Sequence, residues 1–233
     1  MNRSHLRSLI ALAGFFIVLV GLFTWSRYIE HKSYLDPKNA MAEIARIEAG
    51  LPTEVTLPPI RSSDPSRGST STNALVVVEF ADFNCLYCRL IEPEIRQAMQ
   101  AFPNDARLVW RDLPLNADQA DGLLPAQAAR CAQDQGKFWQ MHDALFATAK
   151  LDRKGIHSAA QSAGLDLSLF ENCLTTNTHV DAIRAELSLA RNSGITASPT
   201  LFIGNQVVSG FARAQELADI IAQALANRPI GAR

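Results

Sequence analysis

The chain has 233 residues, which is enough for one globular domain with extensions. Its 22 basic and 23 acidic residues nearly cancel, and 48% of its residues are hydrophobic, as is typical of a globular protein. Neither the charge balance nor any local cluster of Lys and Arg indicates a nucleic-acid partner. The meaning of the four cysteines, Cys85, Cys88, Cys131 and Cys173, depends on the redox compartment.

The N-terminal region contains an uncharged stretch, LIALAGFFIVLVGLFTW, at residues 9–25. As a helix it would be roughly 25 Å long, close to the roughly 30 Å hydrocarbon core of a bilayer. Trp25 and Tyr28 lie where an interfacial aromatic belt is expected. We therefore predict that residues 1–32 form a cytoplasmic tail and an uncleaved transmembrane signal-anchor.

Two other interpretations of this stretch are less favoured. A cleaved signal peptide usually has a shorter apolar region and a small-residue cleavage site, which FTWSRYIEHK does not supply. A buried core helix is disfavoured because basic residues flank the stretch on both sides. Those flanking charges nearly balance, so the cysteine content decides the expected orientation, with the bulk of the chain outside the cytoplasm.

Residues 33–73 are predicted to connect the anchor to a folded domain. A short amphipathic helix is expected within residues 33–49 and ends at Gly50. The following stretch, residues 51–73, is rich in Pro, Ser and Thr, a composition that cannot build a core. We therefore expect a flexible tether and place the start of the folded domain at residue 74.

The predicted domain, residues 74–227, alternates strands and helices. A strand at 74–80, a helix at 89–102 and a second strand at 106–115 are followed by a block of helices at 119–193. Two strands at 198–204 and 206–211, joined at Gly204-Asn205, and a final helix at 212–227 complete the domain. This order predicts an α/β domain carrying a helical insertion at about residues 117–193.

The motif FNCLYC places Cys85 directly after a buried strand and at the start of a helix. Free N–H groups at a helix N-terminus stabilise an anion, and thiolate is the form of cysteine that attacks disulfides. Cys88 follows one helical turn later, within bonding distance, so the pair can cycle between dithiol and disulfide. A C-x-x-C motif in an α/β context indicates thioredoxin-like redox chemistry.

Two other interpretations of the pair are disfavoured. A structural zinc site needs four ligands and commonly uses a second close pair, whereas Cys131 and Cys173 lie far apart without a Cys or His partner at ligand spacing. We therefore predict no metal. Inert buried thiols are disfavoured because the polar residues Asn84 and Arg89 adjoin the motif.

Four segments in a fixed order make the pattern more specific: VVVEFADFNCLYCR, ARCAQDQGKFWQMHDALF, FENCL and SGITASPTLFIGNQVVSGF. Together they resemble the DsbA-like thiol–disulfide oxidoreductases of the thioredoxin superfamily, from about residue 74 to 226. The resemblance implies a thioredoxin-like fold with a central mixed sheet and an inserted helical subdomain.

The resemblance also implies roles for individual residues. Cys85 matches the exposed nucleophile of the family, and Cys88 matches the resolving cysteine. Pro199 matches a cis-proline that faces the pair, and X-Pro bonds are the peptide bonds that readily adopt cis. Ser198 would then lie beside the sulfurs and present its backbone to an extended substrate chain.

Three further side chains receive roles from the same resemblance. An acidic residue lies beneath the active site in the family, which matches Glu79, and a buried carboxyl there would transfer a proton during exchange. The alternative is an exposed carboxylate at a strand end. Cys131 and Cys173 match an extra disulfide found in some members, although the residues alone allow three pairings or two free thiols.

Leu86 and Tyr87, which are expected to contact substrate, depart from the family pattern. The family often has Pro at the first position, and its strong oxidants have His at the second. A cationic His stabilises the thiolate and thereby the reduced form, whereas Leu and Tyr supply no charge. We therefore expect a weaker oxidant than the His-bearing members.

The sequence thus predicts a membrane-anchored thiol–disulfide oxidoreductase facing the bacterial periplasm, acting on cysteine-containing proteins without a cofactor. We expect a monomer that a quinone-linked membrane partner reoxidises. A reductase or isomerase is an alternative, although residues 50–73 show no dimerisation domain. A tethered copper-delivery or assembly factor is another, since thiolates suit Cu(I), but no Met- or His-rich tract accompanies the pair.

Overall fold

A computed structural model describes residues 55–119 and 121–228 of the chain. The predicted anchor and the predicted helix within residues 33–49 lie outside these residues. Among the residues described, none of the helices is long and apolar enough to cross a membrane.

Five strands and seven helices are found in the described part of the chain. In chain order they are β1 (Ser66–Gly68), β2 (Leu75–Ala81), α1 (Leu86–Gln100), β3 (Ala106–Asp112), α2 (Leu124–Gln133), α3 (Phe138–Ala147), α4 (Arg153–Ser162), α5 (Leu167–Thr175), α6 (Val180–Asn192), β4 (Thr200–Ile203), β5 (Gln206–Ser209) and α7 (Ala214–Ala226). The predicted order of strands and helices from residue 74 onward is confirmed, with α2 to α6 forming the insertion.

The five strands form one mixed sheet in the order β1-β3-β2-β4-β5. Strand β2 pairs in parallel with β3 and antiparallel with β4, so it lies at the centre of the sheet. The predicted central mixed sheet of an α/β fold is therefore confirmed. The apolar run of β2 fits this position because a central strand is covered on both faces.

Successive side chains of β2 point to opposite faces of the sheet. Leu75 and Val77 pack in an apolar cluster with side chains of α1 and α7, whereas Val78 and Phe80 pack in a second cluster with side chains of α6. Helices therefore cover both faces. Glu79 has the same parity as Val77 and points to the face covered by α1.

The inserted helices α2 to α5 build a third apolar cluster against the end of the sheet. Small residues of α2, including the fully buried Ala128, Ala129 and Ala132, allow the neighbouring helices to approach closely. A disulfide joins Cys131 of α2 to Cys173 of α5. By chain entropy, such a link stabilises a domain by about 4 kcal/mol.

The prediction of a tether up to residue 73 is wrong for its described part. Strand β1 pairs antiparallel with β3, with Ser66 opposite Val109. The N–H of Thr56 donates to the carbonyl of Ser193 at 3.0 Å, and Asp64 is buried. A three-residue edge strand held through its backbone produces no hydrophobic periodicity, so composition alone could not indicate it.

Buried ion pairs attach this segment to the domain. The fully buried Arg111 of β3 donates through Nε to Glu186 of α6, and its Nη1 lies 3.5 Å from Oδ2 of Asp64. Arg61 contacts the same two carboxylates. A buried guanidinium that loses its partners leaves an uncompensated charge, which is strongly destabilising.

We predict that Glu186→Ala lowers the free energy of unfolding by about 3–5 kcal/mol, because it leaves the Arg111 guanidinium buried without its main partner. Urea unfolding of the full chain measures this change. Glu216→Ala, at an exposed position of α7, is the matched control and should change stability by less than about 0.5 kcal/mol. Equal effects of the two substitutions would contradict the role assigned to Glu186.

Candidate active site

The turn between β2 and α1 places Cys85 at the N-cap of α1. Asp82 holds this turn, since its carboxylate accepts hydrogen bonds from the N–H groups of Asn84 at 2.8 Å and Leu115 at 3.0 Å. The N–H of Cys85 donates to the carbonyl of Asp82 at 3.0 Å. Asp82 is therefore a loop residue that positions the cysteine.

The structure brings the two cysteines together with the loop before β4. The Cys85 thiol donates to the carbonyl of Ser198 at 3.3 Å, and the Cys88 Sγ lies 2.9 Å from the Ser198 hydroxyl. The Ser198–Pro199 peptide bond is cis. The four residues predicted to form the reaction centre thus lie in one site, although the cysteine pair and the Ser198–Pro199 pair are more than a hundred positions apart in the sequence.

The two sulfurs of the pair have different environments. Cys85 is half-buried, whereas Cys88 is fully buried, and both are free thiols. Burial raises the pKa of the Cys88 thiol, and the hydrogen bond from Ser198 opposes that shift only in part. This asymmetry fits an accessible attacking sulfur at Cys85 and a protected resolving sulfur at Cys88.

Exposed apolar side chains border the half-buried sulfur. Leu86 and Tyr87 in the first turn of α1 are 63% and 58% exposed, and Leu90 lies one turn further along the helix. Large apolar groups left in contact with water beside a reactive sulfur suit the binding of a polypeptide. Leu86 and Tyr87, which the sequence predicts to contact substrate, are thus exposed to solvent.

The carboxyl of Glu79 is fully buried, and neither of its oxygens has a hydrogen-bond partner. Burial, followed by repulsion from Glu92, raises its pKa well above the usual range, while Arg67 opposes the shift. The charge of Glu79 in turn raises the pKa of Cys88. The alternative of an exposed carboxylate at a strand end is therefore wrong, and the buried group can exchange a proton near Cys88.

Sequence reasoning missed Glu92 and the polar contacts of His142. Glu92 follows Cys88 by four residues and so shares its face of α1. His142 Nε2 lies 3.2 Å from the Glu92 carboxylate, and its Nδ1 lies 2.9 Å from Oδ1 of Asp143. The i, i+4 spacing from Cys88 could have singled out Glu92, whereas no local signal pairs it with His142.

Comparison with known proteins identifies the family. The thioredoxin family model matches residues 62–223. The chain belongs to the thioredoxin family. The predicted resemblance to its DsbA-like members is confirmed.

Three solved structures illustrate the likeness of this thioredoxin-family chain. A thioredoxin-like oxidoreductase from Silicibacter pomeroyi is 28% identical, with a TM-score of 0.64, covering 72% of this chain and 95% of that one. A periplasmic thioredoxin-like protein from Salmonella enterica is 25% identical, with a TM-score of 0.58 and coverage of 78% and 97%. The thiol–disulfide exchange protein alpha-DsbA2 from Wolbachia pipientis shares the fold, with 19% identity and a TM-score of 0.62. The match covers 78% of this chain and 94% of that one.

Curated relatives of similar sequence are named Na⁺/H⁺ antiporters. A Na⁺/H⁺ antiporter, NhaA 3 of Salinispora tropica, is 30% identical over 229 residues, which cover 96% of this chain but 34% of the antiporter. The NhaA antiporter of Herminiimonas arsenicoxydans matches 70% of this chain and 26% of its own length. This thioredoxin-family chain thus spans about a third or less of the curated relatives it matches.

We predict that Glu79→Gln stabilises the protein increasingly as pH rises. A glutamate whose folded pKa is raised contributes stability below its ordinary value of 4.5 and loses it as pH rises toward the folded value. The neutral amide has no such loss, so the difference in unfolding free energy between Glu79→Gln and the parent chain should grow as pH rises from 5 to 8.

Urea unfolding of both forms at several pH values, with the cysteines in one redox state, measures this difference. The exposed Glu216 provides the control, since Glu216→Gln should change the unfolding free energy by less than about 0.5 kcal/mol. A difference between Glu79→Gln and the parent chain that stays constant over this range would show that the carboxyl of Glu79 is not protonated by burial.

Proposed function

We propose that this chain is a membrane-anchored thiol–disulfide oxidoreductase that forms or exchanges disulfides in cysteine-containing proteins of the bacterial periplasm. The observation that carries the proposal is the contact of both active-site sulfurs with Ser198, next to the cis Pro199. A half-buried sulfur, a protected partner sulfur and a docking loop are the components that disulfide exchange requires.

In the oxidising direction, a substrate thiolate attacks Cys85 of the Cys85–Cys88 disulfide. A mixed disulfide forms, and Cys88 leaves as a thiolate. A second substrate thiolate then attacks the substrate sulfur of the mixed disulfide and releases Cys85. The substrate loses two electrons and the active-site pair gains them, so each cycle converts two substrate thiols into one disulfide.

Proton transfer follows from the burial of the leaving sulfur. A thiolate at Cys88 is disfavoured in the apolar interior, which raises the pKa of Cys88. Burial raises the pKa of the Glu79 carboxyl as well, which favours its protonated form, and that proton can be delivered toward Cys88. In the reverse direction the same carboxylate accepts that proton, and Cys88 can then attack the mixed disulfide.

Ser198 is proposed to serve the sulfurs and the substrate in turn. Its hydroxyl contacts Cys88, and its carbonyl accepts a hydrogen bond from the Cys85 thiol. An extended substrate chain that binds beside Ser198 replaces the Cys85 contact with a main-chain hydrogen bond to the Ser198 carbonyl. Leu86 and Tyr87 then cover apolar side chains near the substrate cysteine.

The membrane anchor and the periplasmic location are part of the same proposal. The uncharged stretch at residues 9–25 supports the anchor. The match to the Salinispora antiporter covers 96% of this chain and therefore extends into that N-terminal region. The likeness to a periplasmic protein of Salmonella supports the location. We further propose that the protein acts as a monomer and that a quinone-linked membrane partner reoxidises it.

A periplasmic reductase or isomerase is the second candidate. The absence of a charged side chain at Leu86 and Tyr87 favours it, because less stabilisation of the thiolate makes the disulfide harder to reduce. The two candidates share residues and intermediates and differ in the potential of the Cys85–Cys88 pair.

We predict that the Cys85–Cys88 pair of the full chain cycles reversibly, with a potential more negative than the roughly −120 mV of DsbA. Equilibration with glutathione buffers, followed by alkylation and mass measurement, gives the value. Cys88→Ser should trap a mixed disulfide with a peptide substrate, and Cys85→Ser should trap none.

The measured value also separates the two candidates. A potential above about −180 mV supports net oxidation of substrates, and one near −270 mV supports the reductase. A pair that never exchanges with glutathione would contradict the redox function as a whole. So would equal trapping of substrate by Cys85→Ser and Cys88→Ser, because the two sulfurs would then be interchangeable.

We also predict that the full chain expressed in a bacterium stays with the inner membrane after an alkaline carbonate wash and is released only by detergent. A variant with two of the apolar residues, Val18 and Val20, changed to Arg should lose this attachment, because charges are costly in the hydrocarbon core. Release of the unaltered chain by the wash, or N-terminal cleavage, would contradict the anchor.

A further inference from the structure

Two polar side chains converge on the second cysteine pair, Cys131 and Cys173. The two sulfurs and a ring nitrogen of His179 all lie within 4.8 Å of one another. Oδ2 of Asp134 lies 2.7 Å from His179 Nε2 and 3.8 Å from Cys173 Sγ. Sulfur, imidazole and carboxylate groups are the donors that zinc uses in proteins.

The fold fixes these four donors from three helices. Cys131 and Asp134 are three residues apart at the end of α2, on one face of the helix. Cys173 lies near the end of α5, and His179 is the N-cap residue of α6. Pairs at short spacing from two separate segments are typical of structural zinc sites.

The donor separations are close to those that a metal requires. With zinc–sulfur bonds of about 2.3 Å and zinc–nitrogen bonds of about 2.0 Å, neighbouring ligands of a tetrahedral site lie about 3.3–3.8 Å apart. A ring nitrogen of His179 lies within 4.8 Å of both sulfurs, and Oδ2 of Asp134 lies 2.7 Å from His179 Nε2 and 3.8 Å from Cys173 Sγ. Small side-chain movements after the sulfurs separate are therefore enough to surround one ion.

We propose that reduction of the Cys131–Cys173 disulfide creates a zinc site formed by Cys131, Cys173, His179 and Asp134. While the disulfide is intact, its sulfurs are bonded to each other and the site is closed. Formation of this site does not depend on the direction of electron flow at Cys85 and Cys88.

A dithiol can supply the two electrons that reduction of the Cys131–Cys173 disulfide requires. The dithiol gives two electrons to the Cys131–Cys173 bond and becomes a disulfide, and two thiols form on the protein. Binding of Zn²⁺ then displaces the two thiol protons, because thiolate is the form that ligates the metal. When a disulfide oxidant accepts two electrons from the two thiolates and becomes a dithiol, the Cys131–Cys173 bond forms again and the ion is released.

The proposed site would preserve a link that reduction otherwise removes. The disulfide connects α2 with α5, and the zinc ion would connect the same two helices and add α6 through His179. The helical insertion would therefore remain attached under reducing conditions when zinc is available.

The test uses the full chain carrying Cys85→Ser and Cys88→Ser, so that the remaining thiols are Cys131 and Cys173. The protein is reduced with a phosphine under anaerobic conditions and separated from excess zinc by gel filtration. We expect about one zinc per reduced chain and essentially none per oxidised chain. Cobalt(II) in place of zinc should give the absorption of a tetrahedral site together with thiolate charge-transfer bands.

Single substitutions in this background identify the other ligands. His179→Ala and Asp134→Ala should each weaken zinc binding about tenfold or more, measured by competition with a chromogenic chelator. His157→Ala, at an exposed position of α4, is the control and should leave the affinity unchanged.

Three results would overturn the proposal: reduced protein that retains no zinc, oxidised protein that binds it equally, or unchanged affinity in His179→Ala or Asp134→Ala. Circular dichroism follows folding throughout. If reduction unfolds the insertion, added zinc should restore its helical signal, and failure to do so would also overturn the proposal.

Discussion

The burial of β2 between two helical layers is the constraint on which the rest of the site depends. Because β2 and β4 are antiparallel and Phe80 pairs with Thr200, the C-terminal end of β2 lies beside the N-terminal end of β4. Cys85 follows β2, and Pro199 precedes β4. Sheet register therefore brings the cysteine pair and the cis-proline loop together, and the hydrogen bonds of Ser198 to both sulfurs are its local result.

The same burial sets the acid–base properties of the centre. Strand alternation turns Glu79 toward α1, the helix that carries Cys88, into an interior without hydrogen-bond partners for its oxygens. Desolvation raises the pKa of the carboxyl and of the thiol, and the charge of Glu79 raises that of Cys88 further. A buried carboxyl without partners costs stability, which a proton-transfer role would explain.

The sequence predicted those elements of the fold whose signal lies in a few adjacent residues. The apolar run of β2, the C-x-x-C motif and the hairpin at Gly204 each occupy a few adjacent residues, and the order of motifs indicated the family. Strand β1, the ion pairs of Arg111 and the contact of His142 with Glu92 join distant segments through single polar side chains or backbone groups. Such contacts leave no periodicity in the sequence, so composition wrongly suggested a tether through residue 73.

The two cysteine pairs share one apolar cluster but differ in their polar neighbours. Cys88 and Cys131 belong to the same core, which includes Phe83 and Trp110. Cys88 contacts the Ser198 hydroxyl, and the charge of the buried Glu79 raises its pKa. The second pair adjoins an imidazole and a carboxylate fixed by helix ends, a set of donors that favours metal binding once the sulfurs are free. Because both pairs pack on this core, the link between α2 and α5 also stabilises the apolar cluster that surrounds Cys88.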